Sequence, residues 1–366
     1  MMHLISSLPE LPSGRCFIAP KSGVHAHLSV PNSVIVSPTI SFFAENPGEI
    51  SNTRVPTSAC GGYTLVELLV ALAVTGIFLA AVCLAFGSQH KALTEQGMSI
   101  DILQSSRAAL NLMQHDIRMA GYDATWNDTT DDGLDDHRLN DLIDNDCDGR
   151  ADHDDPESDE HENLAHFTVA QAHHLKFRLD RLRDGDMCDP ADLIGFGFST
   201  TRDRNRDGIA DAGAAPLGRS VGGSGLQPLA EDIQALAFGY AFDDDNGAAV
   251  ADGDIDTAAG NILWGYDASG DGYLDTLLDS NNDGVINTDD DLNGDGRIND
   301  AYLIPAVPVH RVRAVAVWLL ARTRAPLRGR HDQTTYVVGN KIITPRDQYK
   351  RELMTAIVYC RNLGLR

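Results

Sequence analysis

From Leu68 to Phe86 the chain carries no charged residue. About 20 apolar residues, at about 1.5 Å each in a helix, cover the roughly 30 Å hydrocarbon core of a membrane. No other stretch of the sequence reaches that length. Beyond it, Leu93, Ile100, Leu103, Leu110, Met113 and Ile117 recur mostly three, four or seven apart, with Lys91, Glu95, Asp101 and Arg107 between them. No proline interrupts the region from Tyr63 to Met119. The pattern predicts one helix roughly 85 Å long, apolar all round in its first half and one-sided in its second. Gly76, Gly87 and Gly97 are points where it could bend, and Gly121 is a suitable stop.

The periodicity then changes. Residues 121–163 are strongly acidic and poor in aliphatics, a composition that cannot form a core alone. From residue 164 the alternation is strand-like. "HFTVA" and "HHLKFRLDRL" read as a hairpin around Gln171. "IQALAFGYAFD" from Ile233, "VRAVAVWLLART" from Val312 and "LMTAIVYCRNL" from Leu353 read as further strands. An Asp/Gly/Asn-rich insertion at 243–300 separates the Ile233 strand from the Val312 strand. The fold class is α+β: a long helix over 63–120, its first half membrane-spanning, packed on an antiparallel β-sheet within a β-rich domain over 164–366. Residues 1–62 mix Pro, Ser and Gly without periodicity and read as a leader, or as the product of a start codon assigned too early.

Charge narrows the partners. The net charge is −24, and residues 1–62 contribute nothing to it, because Arg15, Lys21 and Arg54 balance Glu10, Glu45 and Glu49. So acidic a chain repels nucleic acid. The six cysteines contain no CxxC pair, which argues against a zinc ribbon or a thioredoxin-like site. Cys147 and Cys188 flank one polar region and could pair in an oxidising compartment. No phosphate loop, nucleophile elbow or HExxH is present, so the reading is that the protein is not an enzyme.

Glu67, at the edge of the apolar run, asks for an explanation, since a carboxylate in a bilayer costs a few kcal/mol. It belongs to Gly62-Tyr63-Thr64-Leu65-Val66-Glu67 followed by about 20 apolar residues. That stretch resembles the class III, or N-methylation, signal of type IV pilin-like proteins, with Tyr63 where Phe is usual. The resemblance implies cleavage after Gly62 by a prepilin peptidase, N-methylation of Tyr63, and single-pass inner-membrane residence in a Gram-negative bacterium before assembly into a surface pilus with other minor and major pilins. A new cationic amine at Tyr63 is a partner for a neighbouring subunit's Glu67, favourable only when both charges are present, so the pair sets register. "SRAALNLMQHDIRMAGYD", "VRAVAVWLLARTRAP" and "YKRELMTAIVYCRNLG" resemble, in that order, segments of the PilW family of type IV pilus assembly proteins. A tip position, and possible contact with a tip adhesin, follow from that resemblance. The J-type minor pseudopilin of type II secretion shares the start motif. A calcium-dependent adhesive surface protein on a pilin anchor is a third reading.

The acidic stretches repeat a pattern. Asp279, Asn281, Asp283, Gly284, Asn287 and Asp290 match the order of a 12-residue calcium loop, with Val285 offering its carbonyl at position seven. Asp267, Ser269, Asp271, Gly272 and Asp275 precede it; Asp291, Asn293, Asp295, Gly296 and Asn299 follow. Leu278 and Tyr302 stand where these outer loops would need a twelfth-position acid. Asp144, Asp146, Asp148, Gly149, Asp152 and Asp155 form a separate complete match, and Asp203, Asn205, Asp207, Gly208 and Asp211 a partial one. Hard oxygen ligands without His or Cys select calcium over zinc, and the expected role is structural. A merely solvated acidic surface is the competing reading. His173 and His174, adjacent in a strand-like run, should face opposite sides and so share no metal.

Overall fold

A computed structural model describes residues 62–122, 166–184, 187–244 and 253–363. The helix α1, Leu65–Arg118, runs for 54 residues. It continues unbroken through Gly76, Gly87 and Gly97. Glu67 lies in its first turn and Arg118 in its last, opposite charges placed to complement the helix dipole. Thr75, Ser88, Thr94, Ser99 and Ser106 donate their hydroxyls to carbonyls of the preceding turn. Inside a bilayer that leaves the Thr75 hydroxyl satisfied without water.

The two halves of α1 differ as the pattern predicts. Leu65 to Phe86 is exposed apart from half-buried Val82. From Ile102 onward one face is buried, through Ser106, Ala109, Leu110, Met113, Asp116 and Ile117. Ser106, Ala109, Met113 and Ile117 are fully buried, and the last three belong to the main core. Gly121 ends the helix in a left-handed conformation, φ 69°, and a β-carbon there would collide with Leu363. The Asn362 amide donates to the carbonyls of Arg118 and Ala120, both at 3.4 Å.

The sheet is antiparallel and has ten strands. In chain order the strands are β1 Phe167–Ala170, β2 His174–Arg178, β3 Leu193–Gly197, β4 Ala215–Val221 and β5 Gln227–Phe242, then the small hairpin β6 Thr257–Ala258 and β7 Asn261–Ile262. They continue as β8 Trp264–Tyr266, β9 Tyr273–Leu277, β10 Ala301–Pro308 and β11 Val312–Arg322, a second hairpin of β12 Tyr336–Val338 and β13 Lys341–Ile343, and β14 Arg351–Tyr359. The 16-residue β5 is central. Ile233 pairs with Ala215 of β4 on one side and Ala321 of β11 on the other. Tyr240 likewise pairs with Gly265 of β8 and Val315 of β11. One edge of β5 therefore holds β4 at its start and β8 at its end, while β11, and beyond it β14, takes the other. Burial on both faces explains the apolar run from Ala235 to Phe242. Leu236, Phe238, Tyr240 and Phe242 belong to the same core as Met113 and Ile117. Ala235 and Ala237 face Leu320 and Val338, covered by the β12–β13 hairpin.

The expected hairpin around Gln171 is β1–β2, and the three other expected strands are β5, β11 and β14. Strands β3, β4, β8, β9 and β10 were not expected. They are short or interrupted by Gly, Pro and Asp; β4 and β8 pair with β5 directly, and β3, β9 and β10 add on beyond them. The 243–300 segment is accordingly corrected from an appended insertion to a contributor of two strands of the main sheet. His173 lies in the β1–β2 turn rather than in a strand. The acidic loop at 123–163, with its Asp144 motif, and the leader before Gly62 lie outside the described residues.

One buried cation staples the far face. Arg351 donates to both oxygens of Asp347 at 2.6 Å, to Asp332 at 3.2 Å and to Gln234 on β5 at 2.6 Å. Asp332 also accepts from the Tyr336 hydroxyl at 3.0 Å. Removing the guanidinium leaves buried Asp332 without its counter-charge, so Arg351→Met should lower unfolding free energy by about 3–5 kcal/mol in urea melts. A loss below about 1 kcal/mol would show that the loop carrying Asp332 relaxes to solvate its carboxylate.

Candidate assembly helix and aspartate loops

The junction before α1 is open. Gly62, Tyr63 and Thr64 precede the first turn, and Tyr63 is 91% exposed. Nothing lies within 4 Å of where a β-carbon on Gly62 would sit. Among the described residues nothing places a packing demand for glycine there. Glu67 is exposed one turn further on. Among the described residues α1 is the one helix long and apolar enough to cross a membrane.

The aspartate loops share one internal geometry. In each, the first Asp accepts the backbone N–H of the sixth-position glycine: Asp203 from Gly208 at 2.8 Å, Asp267 from Gly272 at 3.0 Å, Asp279 from Gly284 at 2.8 Å and Asp291 from Gly296 at 2.8 Å. These four glycines have φ between 76° and 89°, a region costly for any side chain. The fifth-position carboxylate then accepts the N–H of residue seven: Asp207 from Ile209, Asp271 from Tyr273, Asp283 from Val285 and Asp295 from Arg297, all at 2.8–3.1 Å.

Each loop is closed by a late carboxylate reaching back to its start. Asp290 accepts from Ser280 and Asn281, and Asp275 from Ala268 and Ser269. In the third loop Asp300, outside the expected set, closes onto Asn293. Leu278, at the twelfth position of the first loop, is core, whereas Tyr302 is 67% exposed. The eighth position anchors each loop: Ala210, Leu274 and Ile298 are buried, and Ile286 packs against the core. That apolar beat was the signal missed in the sequence. It makes the loops part of the folded body and not merely a solvated fringe. Among the described residues no three His, Cys, Asp or Glu side chains converge on one point. The oxygen donors of each loop are mixed, from carboxylates, amides, Ser269 and the position-seven carbonyl.

Cys188 is disulfide-bonded. Its partner, and Cys147 itself, lie outside the described residues. Cys83 and Cys360 are free. Burial pushes the Cys360 thiol up to about 12, which makes it inert.

Residues 57–82 match the family model described as the prokaryotic N-terminal methylation motif. No curated protein matches the chain. A type IV-like pilin from Thermus thermophilus is similar in structure, with 14% sequence identity and a TM-score of 0.32, over 72% of this chain and 97% of that one.

The imidazoles of His173, His174 and His310 are each held down at about 4, chiefly by burial, with Lys341, Lys176 and Arg311 adding repulsion in turn. Unfolded histidine titrates near about 6.5. Between those values the unfolded chain binds more protons, so these groups cost nothing above pH about 6.5 and destabilise progressively as pH falls toward 4. Below the ordinary carboxylate range a second loss follows. Asp347, held down by Arg351, and Asp332, where burial is outweighed by bonds from Thr334, Tyr336 and Arg351, must then take up protons. Asp192 and Asp203, raised by burial, act in the opposite direction over the carboxylate range. The melting temperature should fall between pH 7 and pH 5, and the His173→Gln, His174→Gln, His310→Gln triple variant should flatten that slope. An unchanged slope in the variant would assign the pH dependence elsewhere.

Proposed function

We propose that this type IV pilin-like chain, with its N-methylation signal, is a minor pilin: cleaved after Gly62, methylated on Tyr63, and incorporated at or near the tip of a pilus. The observation that supports this best is the junction of the methylation motif with an uncovered apolar half-helix whose other half is fixed to a sheet. The apolar half holds the precursor in the membrane and later packs against the same segments of neighbouring subunits. Prepilin peptidase and other pilins are the partners this reading requires, and the PilW-like segments favour the pilus over the secretion machine.

Processing carries the direct test. Gly62→Phe should leave the precursor uncut, and mass analysis of the pilus-associated protein should find Tyr63 as its methylated first residue. Glu67→Val should insert at least as well as the parent, since it removes a charge from the membrane edge. Its incorporation into pili should drop at least tenfold, because the neighbour's amine loses its counter-charge. Full incorporation of that variant would remove Glu67 from the assembly mechanism.

Calcium is proposed as a structural ion of the loops, with Asp279, Asn281, Asp283, Asn287, Asp290 and the Val285 carbonyl as the best donor set, and the Cys188 disulfide is proposed to reach Cys147. Four loops of one geometry with oxygen donors support the first of these. At 100-fold excess over the dissociation constant, an ion bound only by the folded state adds about 2.7 kcal/mol. Melts of the full chain in detergent should therefore rise with calcium and rise less with magnesium, which keeps a tight hydrated octahedron. Asp279→Ala with Asp283→Ala should remove most of the calcium increment. Identical melts in calcium, magnesium and chelator would leave the loops as self-bonded turns.

A further inference from the structure

Three of the aspartate loops meet the β1–β2 turn around a cavity of about 230 Å³. The 203–211 loop contributes Arg206 and Asp207, the 267–275 loop Asp267 and the 291–299 loop Arg297 and Asn299; Gln171 and His173 come from the turn. Below them Asn340 and Tyr266 form part of the wall.

The wall is fixed by a buried polar relay. Lys341, 2% exposed, donates to the Leu236 carbonyl at 3.1 Å and to the Asn340 side-chain oxygen at 2.7 Å. The Tyr266 hydroxyl donates to the Ile298 carbonyl at 3.1 Å. Two of the charges on the rim are also committed. Arg297 pairs with Asp207 at 3.2 Å, and Asp267 accepts the amides of Gly270 and Gly272.

The side chains of Gln171, His173, Arg206 and Asn299, by contrast, make no hydrogen bond with the described residues. Two are amides and one is an imidazole kept neutral by burial, so three of the four both donate and accept. That is the hydrogen-bonding character of a hydroxyl group, repeated around one small opening. A phosphate would need more than one uncommitted cation in a chain of charge −24. An ammonium would meet Asp267, but beside the guanidinium groups of Arg206 and Arg297, which repel it. A flat aromatic ligand would need an exposed ring, and Tyr266 is 4% exposed. The volume lies below the roughly 300 Å³ lower end of drug-sized sites, which limits the occupant to about one ring.

We propose that this cavity binds a single neutral pyranose unit, such as the terminal residue of a surface glycan, through Gln171, His173, Asn299 and Arg206. Binding of this kind is independent of how the chain is processed or assembled, and it requires that any ion in the 291–299 loop leave the Asn299 amide uncommitted. The test is saturation-transfer NMR on the full chain in detergent with glucose, galactose and N-acetylglucosamine, each at about 10 mM, above the roughly 1 mM dissociation constant suited to one ring. Glucuronate and inorganic sulfate serve as the charged probes. At least one neutral sugar should show transfer. His173→Ala with Asn299→Ala should weaken it at least tenfold with an unchanged melting temperature. Arg206→Ala, on an exposed side chain, provides a second variant if the first pair fails to fold. No transfer from any neutral sugar, transfer unaffected by the variants, or binding of glucuronate or sulfate alone would overturn the assignment.

Discussion

The half of α1 beyond Ile102 is held only where the sheet offers it large side chains, while the half before it must stay uncovered. One continuous helix thus has to satisfy two surroundings, and the position of the change sets the rest of the layout. Ser106 and Ala109 are fully buried on the face that meets the core. An ion pair within this packing, Arg219 to Asp116 at 2.7 Å, ties α1 to β4 and holds the rotation of the helix on the sheet. With that rotation set, Met113 and Ile117 point inward and the apolar span points into whatever surrounds it.

Around this core the polar groups are treated in two ways. Arg351 and Lys341 are buried and bonded, and each ties a late segment of the chain onto β5, one through Gln234 and the other through the Leu236 carbonyl. Such groups cost desolvation and return it only as complete networks, so they specify a single arrangement of the 330–350 region more than they add stability. Burial lowers the Lys341 ammonium to about 7 against the pull of Asp207, so its charge is held at some expense. The aspartate loops take the opposite course, spending carboxylates on their own backbone N–H groups and leaving their outer faces to solvent.

The helix, its two-faced character and the strands β5, β11 and β14 were legible because each is a long periodic run. The strands β3, β8 and β9 were not, since a strand of three to five residues holding Gly or Asp carries too few positions to show a period and exists only as one step in the series of pairings that spreads from β5 through β4 and β8. The motif around Glu67 was legible as a string of residue types. The openness of Gly62 needed coordinates. For the loops, the glycine at position six was readable and its left-handed backbone followed. The closing role of Asp300 and the turn placement of His173 depend on where the loops land on the core, which local spacing does not encode. The apolar residue at position eight was present in plain sight, hidden by the density of aspartates around it.

The cap on α1 has a consequence for biosynthesis. Asn362 and Leu363 finish the end of a helix that was made some 240 residues earlier. Until β11 and β14 emerge, the carbonyls of Arg118 and Ala120 lack this donor and the large side chains of β5 face water. A polypeptide stalled before residue 351 would therefore present a membrane-anchored helix with an open core, the kind of surface that chaperones and proteases recognise. Joining first-made and last-made segments raises contact order and slows folding. It also works as a length check, because only chains extended through Leu363 can close.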